Sequence, residues 1–292
     1  MTKSFSKILK SVLSLVLVLC FINVSVQAEK NNEKLSDPYQ VIENYFVSVK
    51  NGDIDSMVAN SIDLNYSDEI TQREEYAQYH KTVPLRQYKI NSSKTLDPLS
   101  VQFQVVLSYD DVGTLPEITY TVIKKNGSWK VLIEPIEINL DPNSPDYQKV
   151  SQGKPKNQIK YADLNSNVKT TETTAPLTVG LDDYRIINLI YNESVNGIDT
   201  FSTSQGQVLF HGWQERVNLS CTTCYVGTVK YEVIVITGSS TVSLGSGTVS
   251  GEYLSSGTWY STYASVSNGS NRRVRITNQG MADINGAGDV YE

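Results

Sequence analysis

The chain has 292 residues, a formal charge of −6, 3 cysteines and 2 histidines. An acidic chain with no long basic block lacks the electrostatic footprint for nucleic acid or an anionic membrane surface. No His–His or His–Cys pair stands at metal-ligand spacing, which argues against zinc chemistry.

The chain opens with Lys3, Lys7 and Lys10, then an uncharged apolar stretch over 11–26 that closes in Val26-Gln27-Ala28. The composition turns abruptly polar at Glu29. That order is expected of a cleaved secretory signal over residues 1–28. The apolar core, 12–22, is shorter than the roughly 20 residues a spanning helix needs. Leu19 is too bulky to precede a lipid-bearing Cys20. Cleavage would remove three lysines and no acid, taking the charge from −6 to −9. The expected mature protein is secreted and extracellular, with no transmembrane segment after signal cleavage.

Residues 29–36 read as a disordered lead. Asp37 and Pro38 suit a helix start. Ile42, Tyr45, Phe46 and Val49 share one helical face, and Asn51-Gly52 ends it. Asp53 or Asp55 caps a second helix. A third is expected from about 71 to 80, with Thr71 and Glu74 as a capping box. Period-two segments follow at 86–92, 101–107 and 118–122. Asn126-Gly127 is a hairpin signal, and a last strand runs from 129 to 138.

Two runs in this stretch carry a family pattern. One is Tyr45-Phe46-Val47-Ser48-Val49-Lys50-Asn51-Gly52-Asp53-Ile54-Asp55-Ser56-Met57; the other is Asn126-Gly127-Ser128-Trp129-Lys130-Val131. On these runs, residues 37–140 resemble the nuclear transport factor two-like family, a cystatin-like α+β roll. The resemblance implies a curved antiparallel sheet wrapped against helices around a cone-shaped pocket. It implies no single activity, because members include enzymes, ligand binders and accessory domains. Enzymatic members place an Asp–His or Asp–Tyr pair inside the cone. Here His80 is expected to face solvent, and Asp110-Asp111 to sit in a solvated turn.

Residues 141–176 are polar and aperiodic, as in a linker. Residues 177–292 read as an all-β sandwich. Its expected strands are 184–191, 207–219, 225–237, 248–253, 258–267 and 272–277, separated by Gly/Ser clusters that include Gly245-Ser246-Gly247. The expected fold class is therefore two-domain: an N-terminal α+β roll and a C-terminal β-sandwich.

Cys221 and Cys224 have Cys-x-x-Cys spacing, but their β-branched, strand-like setting favours a structural disulfide over a redox site or half of a metal site. Trp213, Trp259, Tyr260 and Tyr263 fall in expected strands, the last three among Ser and Thr. They read either as core or as a ligand platform, where rings stack on sugars and hydroxyls satisfy theirs. Asp283, Asn285 and Asp289, with Gly286 for the bend, resemble the start of a calcium loop, but Ala287 replaces the third acidic ligand and a plain surface turn is favoured. No other cofactor is expected. Arg272, Arg273 and Arg275 read as an exposed strand face. His211, between Phe210 and Gly212, reads as half-buried structure rather than the base of a serine triad.

No catalytic constellation stands out. The expectation is a non-enzymatic binding or interaction protein at or outside the cell envelope, with a glycan, the envelope or another protein as partner. The alternative is a secreted carboxylate-dependent hydrolase acting on cell-wall or polysaccharide substrate. It would draw on acids such as Glu134, Glu137, Asp182, Asp183 and Glu215, and it requires two of the acids to converge in one pocket.

Overall fold

The computed structural model describes residues 37–152, 160–162, 179–197, 199–217, 226–238 and 240–292. Among these residues the chain is mostly β, with three helices and several sheets. The expected signal, Cys20, Cys221 and Cys224 lie outside the described residues.

Helix α1 (Pro38–Asn51) buries Val41, Ile42, Tyr45 and Phe46. It stops at Gly52, whose φ of +69° only glycine adopts readily. The His80 ring fills the space that a Cβ at Gly52 would occupy. His80 is thus half-buried against this turn rather than turned to solvent. Helix α2 (Ile54–Asn60) is capped by Asp53, which accepts from the Ser56 N–H at 3.1 Å. Helix α3 (Glu69–Thr82) starts earlier than its capping-box spacing predicts. Asp68 accepts both the backbone N–H and the hydroxyl of Thr71, at 2.8 and 2.9 Å. A carboxylate three residues ahead of Thr71 takes the orphan donors that the sequence pattern gave to Thr71 and Glu74.

The first sheet is built from β1 (Ser61–Asp63), β2 (Leu85–Asp97), β3 (Ser100–Tyr109), β4 (Gly113–Thr114), β5 (Ile118–Lys125) and β6 (Ser128–Ile133). Its order is β1-β6-β5-β3-β2, with β4 on β3. Along β3, Val101, Phe103, Val105 and Leu107 alternate inward. They pack with the α1 face in one apolar cluster.

The strand expected over 129–138 is broken at Glu134-Pro135, where proline removes a ladder donor. The chain then leaves the first sheet. The remaining strands are β7 (Ile136–Asn139), β8 (Val150–Gln152), β9 (Lys160–Ala162), β10 (Gly180–Leu189), β11 (Ser194–Gly197) and β12 (Phe201–Thr203). After them come β13 (Gln207–Arg216), β14 (Thr228–Thr237), β15 (Ser240–Ser250), β16 (Tyr260–Ser265), β17 (Gly269–Asn278) and β18 (Ile284–Tyr291). Strands β8 and β9 fall inside the stretch expected as a linker; β8 folds back on β7, and β9 runs parallel to β11.

One sheet has the order β10-β18-β13-β16, and a larger one β8-β7-β15-β14-β17-β11-β9, with β12 on β17. They meet around Tyr231 of β14, whose ring lies 5.7, 5.6 and 5.2 Å from Tyr184, Phe210 and Tyr260 of the smaller sheet. The Gly245-Ser246-Gly247 cluster, expected as a turn, lies inside β15. A Cβ at Gly245 would run into the Ser265 carbonyl, and one at Gly247 into Thr262. These glycines let β16 pass close over β15.

Three further expectations are corrected. The acidic loop over 283–289 is mostly strand, because β18 is paired on both sides, to β10 and β13. The arginine cluster is not an exposed face: Arg272 is 0% and Arg275 8% exposed. Arg272 donates through Nη2 to the carbonyls of Asp111 and Asn268, both at 3.1 Å. Asp111 in turn accepts from the Ser270 hydroxyl at 2.5 Å, so this turn is a contact rather than a solvated tip. Tyr79 of α3 packs on Ile234 and Ile236 of β14. Residues Pro38–Glu292 form one compact unit.

Candidate functional site

The outer face of the four-stranded sheet gathers most of the chemistry singled out in the sequence. Strand register sets residues of β16, β13, β18 and β10 in rows. Ser261, His211, Asp289 and Asp183 form one row. Tyr263, Leu209 and Tyr291 form the next on one side, and Trp213, Ala287 and Arg185 the next on the other. Alternation along β13 explains the division: Phe210, Gly212 and Gln214 are buried, whereas His211, Trp213 and Glu215 stay partly open.

Within this face the His211 Nδ1 lies 3.0 Å from the Ser261 hydroxyl. The Trp259 ring stands 5.5 Å from the imidazole, tilted by 42°, and its indole N–H donates to the Ser255 carbonyl at 3.4 Å. Tyr263 is 47% exposed, a large share for an aromatic ring. The Tyr291 hydroxyl donates to Asp289 at 3.1 Å. Burial raises the Asp289 carboxyl above its ordinary value; the Tyr291 bond lowers it, Asp183 raises it and His211 lowers it. Among the described residues no hydrogen bond joins His211 to Asp289. The imidazole is therefore not held between serine and carboxylate as a catalytic triad requires.

Trp213, Trp259 and Tyr263 are thus brought onto one side of the sheet, and Tyr260 is not. Tyr260 is 3% exposed and turned into the core, where its hydroxyl meets that of Tyr184. It lies one residue from Ser261, and a one-residue step flips the face. Tyr231 completes this inner network by donating to Gln214 at 2.8 Å, and Gln214 donates to the Gly251 carbonyl at 2.8 Å. Burial pushes the Tyr184 and Tyr260 phenols well above their usual range.

Calcium ligation through Asp283, Asn285 and Asp289 does not fit the geometry. Asn285 and Asp289 are four residues apart on an extended strand, roughly 13 Å. Asn285 accepts from the Asn188 N–H at 2.9 Å. Among the described residues, no group of three His, Cys, Asp or Glu side chains is placed to hold a metal.

A second feature escaped the sequence reading. One face of the larger sheet holds a cleft of about 340 Å³, lined by Glu137, Asp146, Lys149, Lys230, Glu232 and Arg275 among others. Arg275 grips Glu137 through both Nη atoms, at 2.6 and 2.9 Å. Lys230 donates to Glu232 at 2.7 Å, and Ser243 donates to the same oxygen at 2.9 Å. Burial opposes the charge on Arg275, but Glu137 and Glu232 outweigh it and hold the guanidinium above its ordinary value. The signal was present: Lys230 and Glu232 are two charges at period two inside an otherwise apolar strand.

In the first sheet, Tyr76 donates to the half-buried Asp63 at 2.7 Å. Burial raises the Asp63 carboxyl, partly offset by its bonds to Asn65 and Tyr76.

No helix among the described residues is long and apolar enough to cross a membrane. No family model matches the chain, and no curated protein matches it. A solved structure of a SEC-C motif containing protein from Rhodopseudomonas palustris is similar at 11% identity and a TM-score of 0.27, over 34% of this chain and 77% of that one.

Proposed function

We propose that this is an exported, non-enzymatic binding protein whose four-stranded sheet recognises a glycan of the cell envelope through its outer face. The observation that carries the reading is Trp259 set against His211, with Ser261 bonded to that imidazole and Trp213 and Tyr263 on the same side. Rings of this kind stack on the apolar faces of sugars. Ser261, Asp289 and Asp183 supply donors and acceptors for sugar hydroxyls. A partly open sheet face suits a polymer better than a small metabolite, which needs a concave site.

In this reading the compact unit over Pro38–Glu292 is composed of two domains packed together. The three helices and the six-stranded sheet form a nuclear transport factor two-like α+β roll that serves as scaffold, and the two remaining sheets form the recognition sandwich. The leader over 1–28 directs export, and Cys221 and Cys224 close a structural disulfide. The test is saturable binding of the full mature chain to purified wall glycans. Trp259→Ala is expected to weaken it about fivefold or more without changing the melting temperature. Full binding by that variant would sink the proposal.

A carboxylate-dependent hydrolase is the second reading, favoured by one observation: Glu137 and Glu232 line the same cleft. Against it, both acids are engaged by cations, Glu137 by Arg275 and Glu232 by Lys230. A glycosidase needs one carboxyl protonated as general acid. Turnover of a wall polysaccharide that is lost in Glu232→Gln would favour this reading over the first.

A further inference from the structure

We infer that the outer face takes a linear oligosaccharide that lies along strand β16 and stacks on two separate rings, Trp259 and Tyr263. The inference rests on the glycan reading above and narrows it: the ligand is a chain of sugars long enough to reach both rings.

The strand register fixes the layout. Tyr260 and Ala264 of β16 are buried, and the Thr262 hydroxyl donates to the Thr248 carbonyl of β15 at 3.4 Å, so these three turn inward. Ser261 and Tyr263 alternate with them and turn outward. Neighbouring rows on that face are two residues apart along the strand, about 7 Å. Trp259 and Tyr263 therefore stand about 13 Å apart along the chain. A single sugar ring cannot bridge that span.

Both ends of the span are apolar. At one end the Trp259 ring stands against His211, and Trp213 lies on the same side. At the other, Tyr263 and Tyr291 flank Leu209 in register. Leu209 is 1% exposed although alternation puts it on the outward side of β13. The row between the ends is polar: Ser261, His211, Asp289 and Asp183. Asp289 accepts from Tyr291 and keeps lone pairs for further donors.

This apolar, polar, apolar order matches a chain of sugars, whose ring faces stack while the hydroxyls around them bond. One sugar covers one end and leaves the other ring in water. A chain that reaches both rings makes its second contact within a complex already formed, so the two contacts reinforce each other.

The experiment is calorimetric titration of the full mature chain with purified wall glycan and with size-fractionated fragments of it, from single sugars to hexasaccharides. Affinity is expected to rise about fivefold or more once the fragments span both rings, as for one ring–sugar contact added, and then to level off. Tyr263→Ala is expected to erase that rise at unchanged melting temperature, so that long fragments bind no better than short ones. A purely structural role for Tyr263 would instead weaken every length alike. The inference is overturned if single sugars bind as tightly as hexasaccharides, or if Tyr263→Ala keeps the rise with length. Either result, with polymer binding still weakened by Trp259→Ala, removes this inference and leaves the glycan reading standing. No binding of the polymer by the parent removes both.

Discussion

Arg275 of β17 and Glu137 of β7 form a two-pronged ion pair across two intervening strands, β14 and β15. In a flat sheet, strands three places apart stand about 14 Å apart. The long Arg275 and Glu137 side chains span that gap over the strands between them, and both line the cleft. Removing one partner leaves a charge buried without its mate. Arg275→Met is expected to cost about 3 kcal/mol in urea denaturation, and the partly exposed Glu137→Gln about 1 kcal/mol. The double variant should lose less than the sum of the two. Strict additivity would mean that the two side chains do not act as a pair.

Tyr260 and Tyr263 are three residues apart and belong to opposite faces. Tyr260→Phe removes a hydroxyl from the inner Tyr184–Tyr260 contact. It should lower stability by about 1 kcal/mol while leaving glycan binding unchanged. Tyr263→Ala should do the reverse, weakening binding with little effect on the melting temperature. Thermal unfolding and a glycan titration on the same two variants separate these roles.

Asp182 is a pH-dependent weak point. Burial raises its carboxyl to about 6, with Asp183 and Asp199 adding to the shift and the Asp183 N–H and Arg273 opposing it. One of its oxygens is buried without a partner. A carboxyl raised in the folded state is neutral in both states at low pH. It therefore costs stability progressively as pH rises from about 4 toward 6, and fully above that. Asp182→Asn should raise the melting temperature at pH 7 and leave it unchanged at pH 3.5. An equal gain at both values would contradict this assignment.

The α1–α2 turn depends on Gly52. Alanine there would be strained at φ +69° and would displace the His80 ring. Gly52→Ala is expected to cost roughly 1–3 kcal/mol by chemical denaturation. Gly52→Ala in a His80→Ala background should lose less, because only the backbone strain remains.

Local physics made much of this legible. The Pro38 start of α1, the Asn51-Gly52 stop, the Asn126-Gly127 hairpin and the alternation from Val101 to Leu107 are written in short-range pattern. What failed was decided at long range. Gly245 and Gly247 look like turn residues, but they are small because β16 crosses over them. Residues 283–289 look like an acidic loop because a strand paired on both sides and rich in glycine lacks the usual β-branched signal. Arg272 and Arg275 look like surface residues, and only the folded chain reveals their partners, Asp111, Glu137 and Glu232. At the candidate site, composition marked Trp213, Trp259 and Tyr263, but the step from Tyr260 to Ser261 sets the face and needed the register. His211 and Asp289 lie far apart in sequence, and only the pairing of β13 with β18 makes them neighbours.

The most direct test of the central proposal is a binding titration of the mature chain and its Trp259→Ala variant against purified cell-wall glycan, with melting temperatures measured in parallel. The account predicts saturable binding by the parent and a loss of about fivefold or more in the variant at unchanged melting temperature, since one ring–sugar contact is worth about a kilocalorie or more. Equal affinity in parent and variant, or no saturable binding by the parent, would contradict it.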